Sequence, residues 1–357
     1  MKEVMRSVSH QQASQLLHNK FVVVLGDSIH RSIYKDLVLL LQKEKYLTVK
    51  QLKSKGEMSF EQDCLVEGGC LDSLHNGTTY REVRQFQAPH HLVRFYFVTR
   101  IFSRYMQSVL EDFRQGLTPD VIIVNSCVWD VSRYSVEWVD EYRENLNTFF
   151  EELRWILPQE TLIIWNLTMP LGESIKGGFL VPEIRHKAPN LWSDVIEANF
   201  YSGTLADAHG VDVLDLHFQF RLSLHHRITD GIHWNAIAHR RITFLLLRHI
   251  AQAWGVILPS PLTTLDLNDT NNQPDSRSET KTERHPTMFS NMSGDYQHNR
   301  FESDWHRRYG FEHGLSDHHE RYRGHHHRDL MRSRHYRRQH YAPYPHHNRY
   351  DRHGHYY

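Results

Sequence analysis

Residues 21–25 form an unbroken apolar run, Phe-Val-Val-Val-Leu, and Gly26-Asp27-Ser28 follows at once. A continuous apolar run of this length fits a strand buried on both faces. Ile33, Leu37, Leu40 and Leu41 then recur at helical spacing and predict a helix over 29–42. The same alternation repeats down the chain. A short helix is expected over 9–18, around Leu16 and Leu17, and a buried strand over 121–125, behind the breaker Thr118-Pro119-Asp120. Trp138, Tyr142, Leu146, Phe149, Phe150 and Leu153 predict a helix over 136–157, which Pro158 stops. Strands over 161–167 and 211–215 flank a helix over 192–209 that ends at Gly210. A closing helix covers 236–254. A further strand falls at 46–50 or within 91–99, and residues 51–90 show no readable period.

Strands alternating with helices of this length imply βαβ units, hence a parallel sheet covered on both faces. Sites in such sheets collect at the carboxyl ends of the strands. Ser28, Asn125 and the loop after Leu167 all fall there.

The pattern stops near Pro259. We therefore divide the chain into an α/β domain over 1–258 and a tail over 259–357 rich in His, Arg and Tyr. The tail lacks the apolar content needed to offset ordering entropy and is expected to be disordered. Lys plus Arg balance Asp plus Glu at 42 each, but that neutrality conceals an Arg excess near the C-terminus. Arg interleaved with Tyr suits contact with RNA or an acidic protein, and the His content would make such contact stronger as pH falls. Cys64, Cys70 and Cys127 are too few and too irregular for a disulfide framework, which favours a reducing compartment. The N-terminal stretch has no apolar core of the signal-peptide kind, and no run reaches the length of a membrane span. The expectation is an intracellular protein of cytoplasm or nucleus, not a secreted one.

The chemistry lies in two strings. Ser28 sits on the turn leaving the first strand, and Asp230-Gly231-Ile232-His233-Trp234 precedes the last helix. A serine becomes a nucleophile when an adjacent base takes its proton, and an aspartate can orient that base. Each string alone is weak, because Asp and Ser are ordinary helix caps and the chain holds 29 His. Their joint placement at the first strand and before the last helix is far more specific.

Gly26-Asp27-Ser28-Ile29, the glycines of Glu67-Gly68-Gly69-Cys70, Asn125-Ser126 and Asp230-Gly231-Ile232-His233-Trp234-Asn235 resemble the four blocks of the GDSL/SGNH hydrolase superfamily. The tryptophan of the last block and the string from Val124 to Tyr134 are similar to the PC-esterase family. The resemblance covers about residues 18–256. It implies a flavodoxin-like three-layer α/β/α fold and ester hydrolysis or acyl transfer, on an acylated glycan or lipid, without cofactor or metal. Carried over, Ser28 is the nucleophile, His233 the base and Asp230 its orienter. The oxyanion hole would combine the Ser28 N–H, the N–H of Gly68 or, by preference, Gly69, and the Asn125 side chain. The family's usual Gly-x-Asn-Asp is absent, so a register placing Trp129-Asp130 over that block stays open. Trp129 and Trp234 are candidate walls of an acyl or sugar pocket, against the alternative of ordinary core aromatics. The competing reading is a catalytically weak or inactive binding module joined to an interaction tail.

Overall fold

A computed structural model describes residues 8–69, 77–176 and 179–258. The expectation of disorder over 259–357 lies outside them, as does Cys70. Seven strands form one sheet among the described residues: β1 (Lys20–Gly26), β2 (Cys64–Gly68), β3 (Glu82–Ala88), β4 (His91–Phe97), β5 (Val121–Val124), β6 (Leu162–Asn166) and β7 (Asp212–Leu214). Their order is β2-β3-β4-β1-β5-β6-β7. The five strands from β4 to β7 pair in parallel. Taken alone they read 2-1-3-4-5, the flavodoxin-like order, whose switch point lies between β1 and β5.

Helices cover both faces, in chain order α1 (His10–Leu16), α2 (Ser28–Leu40), α3 (Val49–Lys53), α4 (Arg104–Arg114), α5 (Val128–Arg133), α6 (Trp138–Ile156), α7 (Leu191–Ala208), α8 (Leu216–Phe220) and α9 (Ala236–Ala253). Successive β1 side chains alternate between two cores, as strand geometry requires. Val22 and Val24 pack with α1, α2 and α9, whereas Val23 and Leu25 pack with α4, α6 and α7. The three-layer α/β/α reading holds.

The structure resolves one open alternative, corrects one expectation and adds one helix. Of the two places for a further strand, 91–99 carries β4, while part of 46–50 enters α3. The sheet is not wholly parallel: β2 and β3 add an antiparallel edge to β4. That edge escaped notice because Asp63, Glu82 and Arg84 are buried charges, which break the apolar pattern that marks a strand. Helix α4 also went unread, although Met106, Val109, Leu110 and Phe113 keep the i, i+3, i+4, i+7 spacing of a buried face.

Candidate functional site

Ser28 is the first residue of α2, directly after β1. Asp27 caps the helix, its carboxylate accepting from Ile29 N at 2.9 Å. Gly26 is required by contact: a Cβ there would stand 2.4 Å from Cγ of His30, which is itself buried one turn into the helix. The Ser28 N–H has no intrahelical acceptor, as at any helix start.

Asp230 and His233 lie on the loop before α9. Gly231 adopts φ +83°, and a Cβ there would meet Ser174 O at 2.5 Å. This left-handed turn folds the loop over the Asp230 side chain, whose Oδ1 accepts from Ile232 N at 2.8 Å and His233 N at 2.9 Å. Residues 172–176 brace the loop, with Gly172 N donating to Gly231 O at 2.7 Å and Lys176 N to Asp230 O at 2.9 Å.

The three residues meet. His233 Nδ1 lies 2.7 Å from Asp230 Oδ2, and Ser28 Oγ lies 2.8 Å from His233 Nε2. Burial would raise the Asp230 pKa, but the hydrogen bond and charge of His233 and the two backbone N–H groups outweigh it and hold the carboxyl at about 2. An ionised carboxylate only accepts, so Nδ1 carries the proton and the lone pair of Nε2 faces the serine hydroxyl.

The other expected residues are placed differently. The Gly69 N–H donates to Arg81 O at 2.9 Å. Gly69 directly follows β2, which β3 and β4 separate from β1, three spacings or roughly 14 Å. As placed, Gly69 is no donor for a group on Ser28; its neighbour Gly68 pairs with Glu82 on the same remote edge. Asn125 stands at the end of β5, beside β1, yet both Nδ2 protons are engaged. They go to Asn166 O at 2.7 Å and Thr168 Oγ1 at 3.0 Å. Trp129 and Trp234 are 6% and 1% exposed and pack as core aromatics, against Phe97 and Phe179 and against Phe220 respectively. Size explains this correction: rings so large are most stable when removed from water. Asp130 is buried too, accepting from Ser126 Oγ and from Ile101 N at 3.2 Å, and desolvation raises its pKa to about 7.

A small pocket is lined by Asp27 and Ile29, the chain neighbours of Ser28, and by Ile232, the neighbour of His233. Val128, Leu167, Met169, Leu171 and Leu216 give it apolar walls, Asp27 adds a carboxylate, and its neutral polar groups come from His30, Asn125 and Thr168. These three join one buried network. His30 Nε2 accepts from Asn166 Nδ2 at 3.1 Å, and burial lowers the His30 pKa to about 4 despite the charge of Asp27. Thr168 is held at both backbone groups by Asn199. Sequence reading marked only the loop after Leu167, not these residues. The His following Gly-Asp-Ser-Ile was visible, but nothing local indicated that it would be buried. Among the described residues, no cluster of His, Cys, Asp and Glu is placed to ligate a metal, and no helix is long and apolar enough to cross a membrane.

The architecture is the flavodoxin-like α/β/α sandwich expected of an SGNH-type hydrolase. No protein-family model matches the chain. Over 70% of its length it is similar to the PC-esterase domain-containing proteins 1A and 1B. Identity is 59% over 255 residues with the human 1A protein, 58% over 250 residues with the 1A protein of Mus musculus and 53% over 250 residues with the human 1B protein. The chain spans 56–58% of the length of these relatives. Among solved structures, it is similar to an acetyl xylan esterase at 16% identity and TM-score 0.40, covering 64% of this chain and 98% of that one. A lipase/acylhydrolase from Enterococcus faecalis matches at 14% identity and TM-score 0.38, covering 66% and 96%.

Proposed function

We propose that this chain is a serine esterase that hydrolyses carboxylic esters through Ser28, His233 and Asp230. One observation carries the reading: the unbroken relay from Ser28 Oγ to His233 Nε2 at 2.8 Å and from His233 Nδ1 to Asp230 Oδ2 at 2.7 Å. As Oγ bonds to the ester carbonyl carbon, its proton passes to Nε2 and the carbonyl oxygen takes the negative charge. Asp230 stabilises the resulting imidazolium. The imidazolium then protonates the leaving alkoxide as the C–O bond breaks, which leaves acyl-Ser28 and a free alcohol. Water, deprotonated by Nε2, attacks the acyl carbon and releases the acid, restoring Ser28. The Ser28 N–H at the start of α2 is one donor for the transient oxyanion. This chemistry uses no cofactor.

An ester substrate accords with the esterase domain named in the relatives, and the small, mostly apolar pocket lined by Ile29 and Ile232 favours a short acyl group; an acylated glycan or lipid is the class that the sequence resemblance implies. Labelling with a fluorophosphonate probe tests the serine, and p-nitrophenyl esters of rising chain length test the pocket. Ser28→Ala should abolish labelling and turnover with the thermal midpoint nearly unchanged. A wild-type protein that does not label, or an Ser28→Ala variant that labels equally, overturns the reading.

The engaged Asn125 amide and the remote Gly69 favour a second reading, a hydrolase-like domain that binds an ester without turning it over. The same probe separates the two, because it needs an activated serine. The segment 259–357 enters either reading as an interaction arm for RNA or an acidic protein, by composition alone. Its binding should weaken steeply with salt.

A further inference from the structure

We propose that the Thr168 hydroxyl is a substrate-facing hydrogen-bond donor, and that Asn125 acts through it as a positioning residue. The inference rests on the esterase reading and adds a residue to it. Thr168 lies just beyond β6, at the carboxyl end of the strand next to β5, and lines the pocket together with Asp27, His30 and Asn125. Its Oγ1 accepts from Asn125 Nδ2 at 3.0 Å, so its own proton must point elsewhere. Another neighbour of that hydroxyl is the buried Cys127 thiol, a weak acceptor that a developing oxyanion would displace. Donation from Asn125 polarises the hydroxyl and makes it a better donor in turn.

The position is built. Thr168 N donates to Asn199 Oδ1 at 2.8 Å, and Asn199 Nδ2 donates back to Thr168 O at 2.8 Å. His217 Nδ1 reaches the same carbonyl at 3.0 Å. Asn199 is 6% exposed, so a buried carboxamide that also meets His217 Nδ1 at 3.2 Å pairs with both backbone groups of one loop residue as a strand neighbour would. Such fixing costs ordering entropy and suits a donor that must already be in place when charge develops. The other Asn125 proton goes to Asn166 O at 2.7 Å, so the carboxamide cannot turn toward the serine without breaking both bonds.

The alternative has the opposite sign. If Asn125 releases Thr168 and donates to the oxyanion itself, Thr168 competes for that proton, and removing its hydroxyl leaves the rate equal or higher. The full-length chain decides, with Thr168→Val and Thr168→Ser compared on p-nitrophenyl acetate and on the rate of fluorophosphonate labelling. Thr168→Val should lower kcat by about 10²–10³-fold with KM changed less than about threefold, since the donor acts on the developing charge. Thr168→Ser should recover most of the rate, and Asn125→Ala should cost little further in the Thr168→Val background. Thr168→Ala gives the same readout if the valine variant loses its unfolding transition. A kcat for Thr168→Val at or above wild type overturns the inference and leaves the esterase reading intact. A wild-type protein that neither labels nor turns over overturns both.

Discussion

Two buried polar regions flank Ser28, and they are built from opposite materials. On the β3 side the groups are ionic. Arg84 grips Asp63 through two bonds of 2.8 Å, and Arg31, one turn beyond Ser28, reaches Glu82 at 2.7 Å. Burial works against the Glu82 charge, but Arg31 and Tyr80 outweigh it and hold the carboxyl below its usual range. On the β6 side the groups are neutral: His30, Asn166, Asn125, Thr168, Asn199 and His217 pass hydrogen bonds from one to the next. The ionic region fastens the antiparallel edge to α2 and so sets where the serine helix stands. The second region touches the pocket, where the dipoles of Asn125 and Thr168 are fixed in advance and can meet a transient charge, with the Asp27 carboxylate on the same wall.

Breaking the ionic side gives the largest expected effect on stability. Asp63→Ala leaves the Arg84 guanidinium buried without its bidentate partner and should cost about 3–5 kcal/mol in urea unfolding. The double variant with Arg84→Met should regain much of that, because removing both charges also removes their desolvation cost. A loss below about 1 kcal/mol for Asp63→Ala would place this pair in the class of solvated surface bridges and end the contrast.

The neutral side should yield instead to pH. Burial lowers His30 to about 4 and His239 to about 3, so the unfolded chain, with histidines near 6.5, takes up protons that the folded one refuses. Their contribution is complete above pH 6.5 and falls as pH drops, by about 1.4 kcal/mol per unit for each histidine. Asp130 runs the other way. Its pKa of about 7 makes stability fall as pH rises from the unfolded carboxyl range toward neutrality. Asp36 and Asp194, raised by burial as well, act in the same sense as Asp130. The histidine contribution is isolated by comparison: as pH is lowered from about 6.5 to 5, the urea midpoint of His30→Asn should drop less than that of the wild type. An unchanged slope in that variant would mean that His30 titrates in the folded state.

The same contrast explains what could be read in advance. Ser28, Asp230 and His233 were legible because each sits in a short string whose backbone turn is local, and the strand pattern brought the strings to one sheet end. The oxyanion donors were not, because the question is whether a proton is already engaged. Nothing around Asn125 in the chain reveals that Asn166 O and Thr168 Oγ1 hold both of its hydrogens. Trp129 and Trp234 were given a role for their nearness to the motifs, when their bulk decided their place. Burial of Asp63, Glu82 and Arg84 depends on partners scattered across 51–90, so no local period could announce β2 and β3.

The smallest effect is expected from the largest deletion. Helices α2 and α9 are joined where Arg240 holds Asp36 at 2.9 and 3.2 Å. The core ends with α9 and its cap: Trp254 lies under the Lys20 ammonium at 5.2 Å, and Leu258 packs against the same cluster. Residues from Pro259 onward carry no periodic apolar face that could extend that core. Ending the chain after Leu258 should therefore leave the unfolding transition, fluorophosphonate labelling and ester turnover within error of the full chain. Binding of RNA or an acidic protein, where the full chain shows it, should be lost. Ending it before Trp254 instead should lower the thermal midpoint, since the α9 cap and its apolar contacts go with it. Aggregation or loss of cooperativity in the longer variant would show that 259–357 completes the core, and the boundary drawn at 258 would then be wrong.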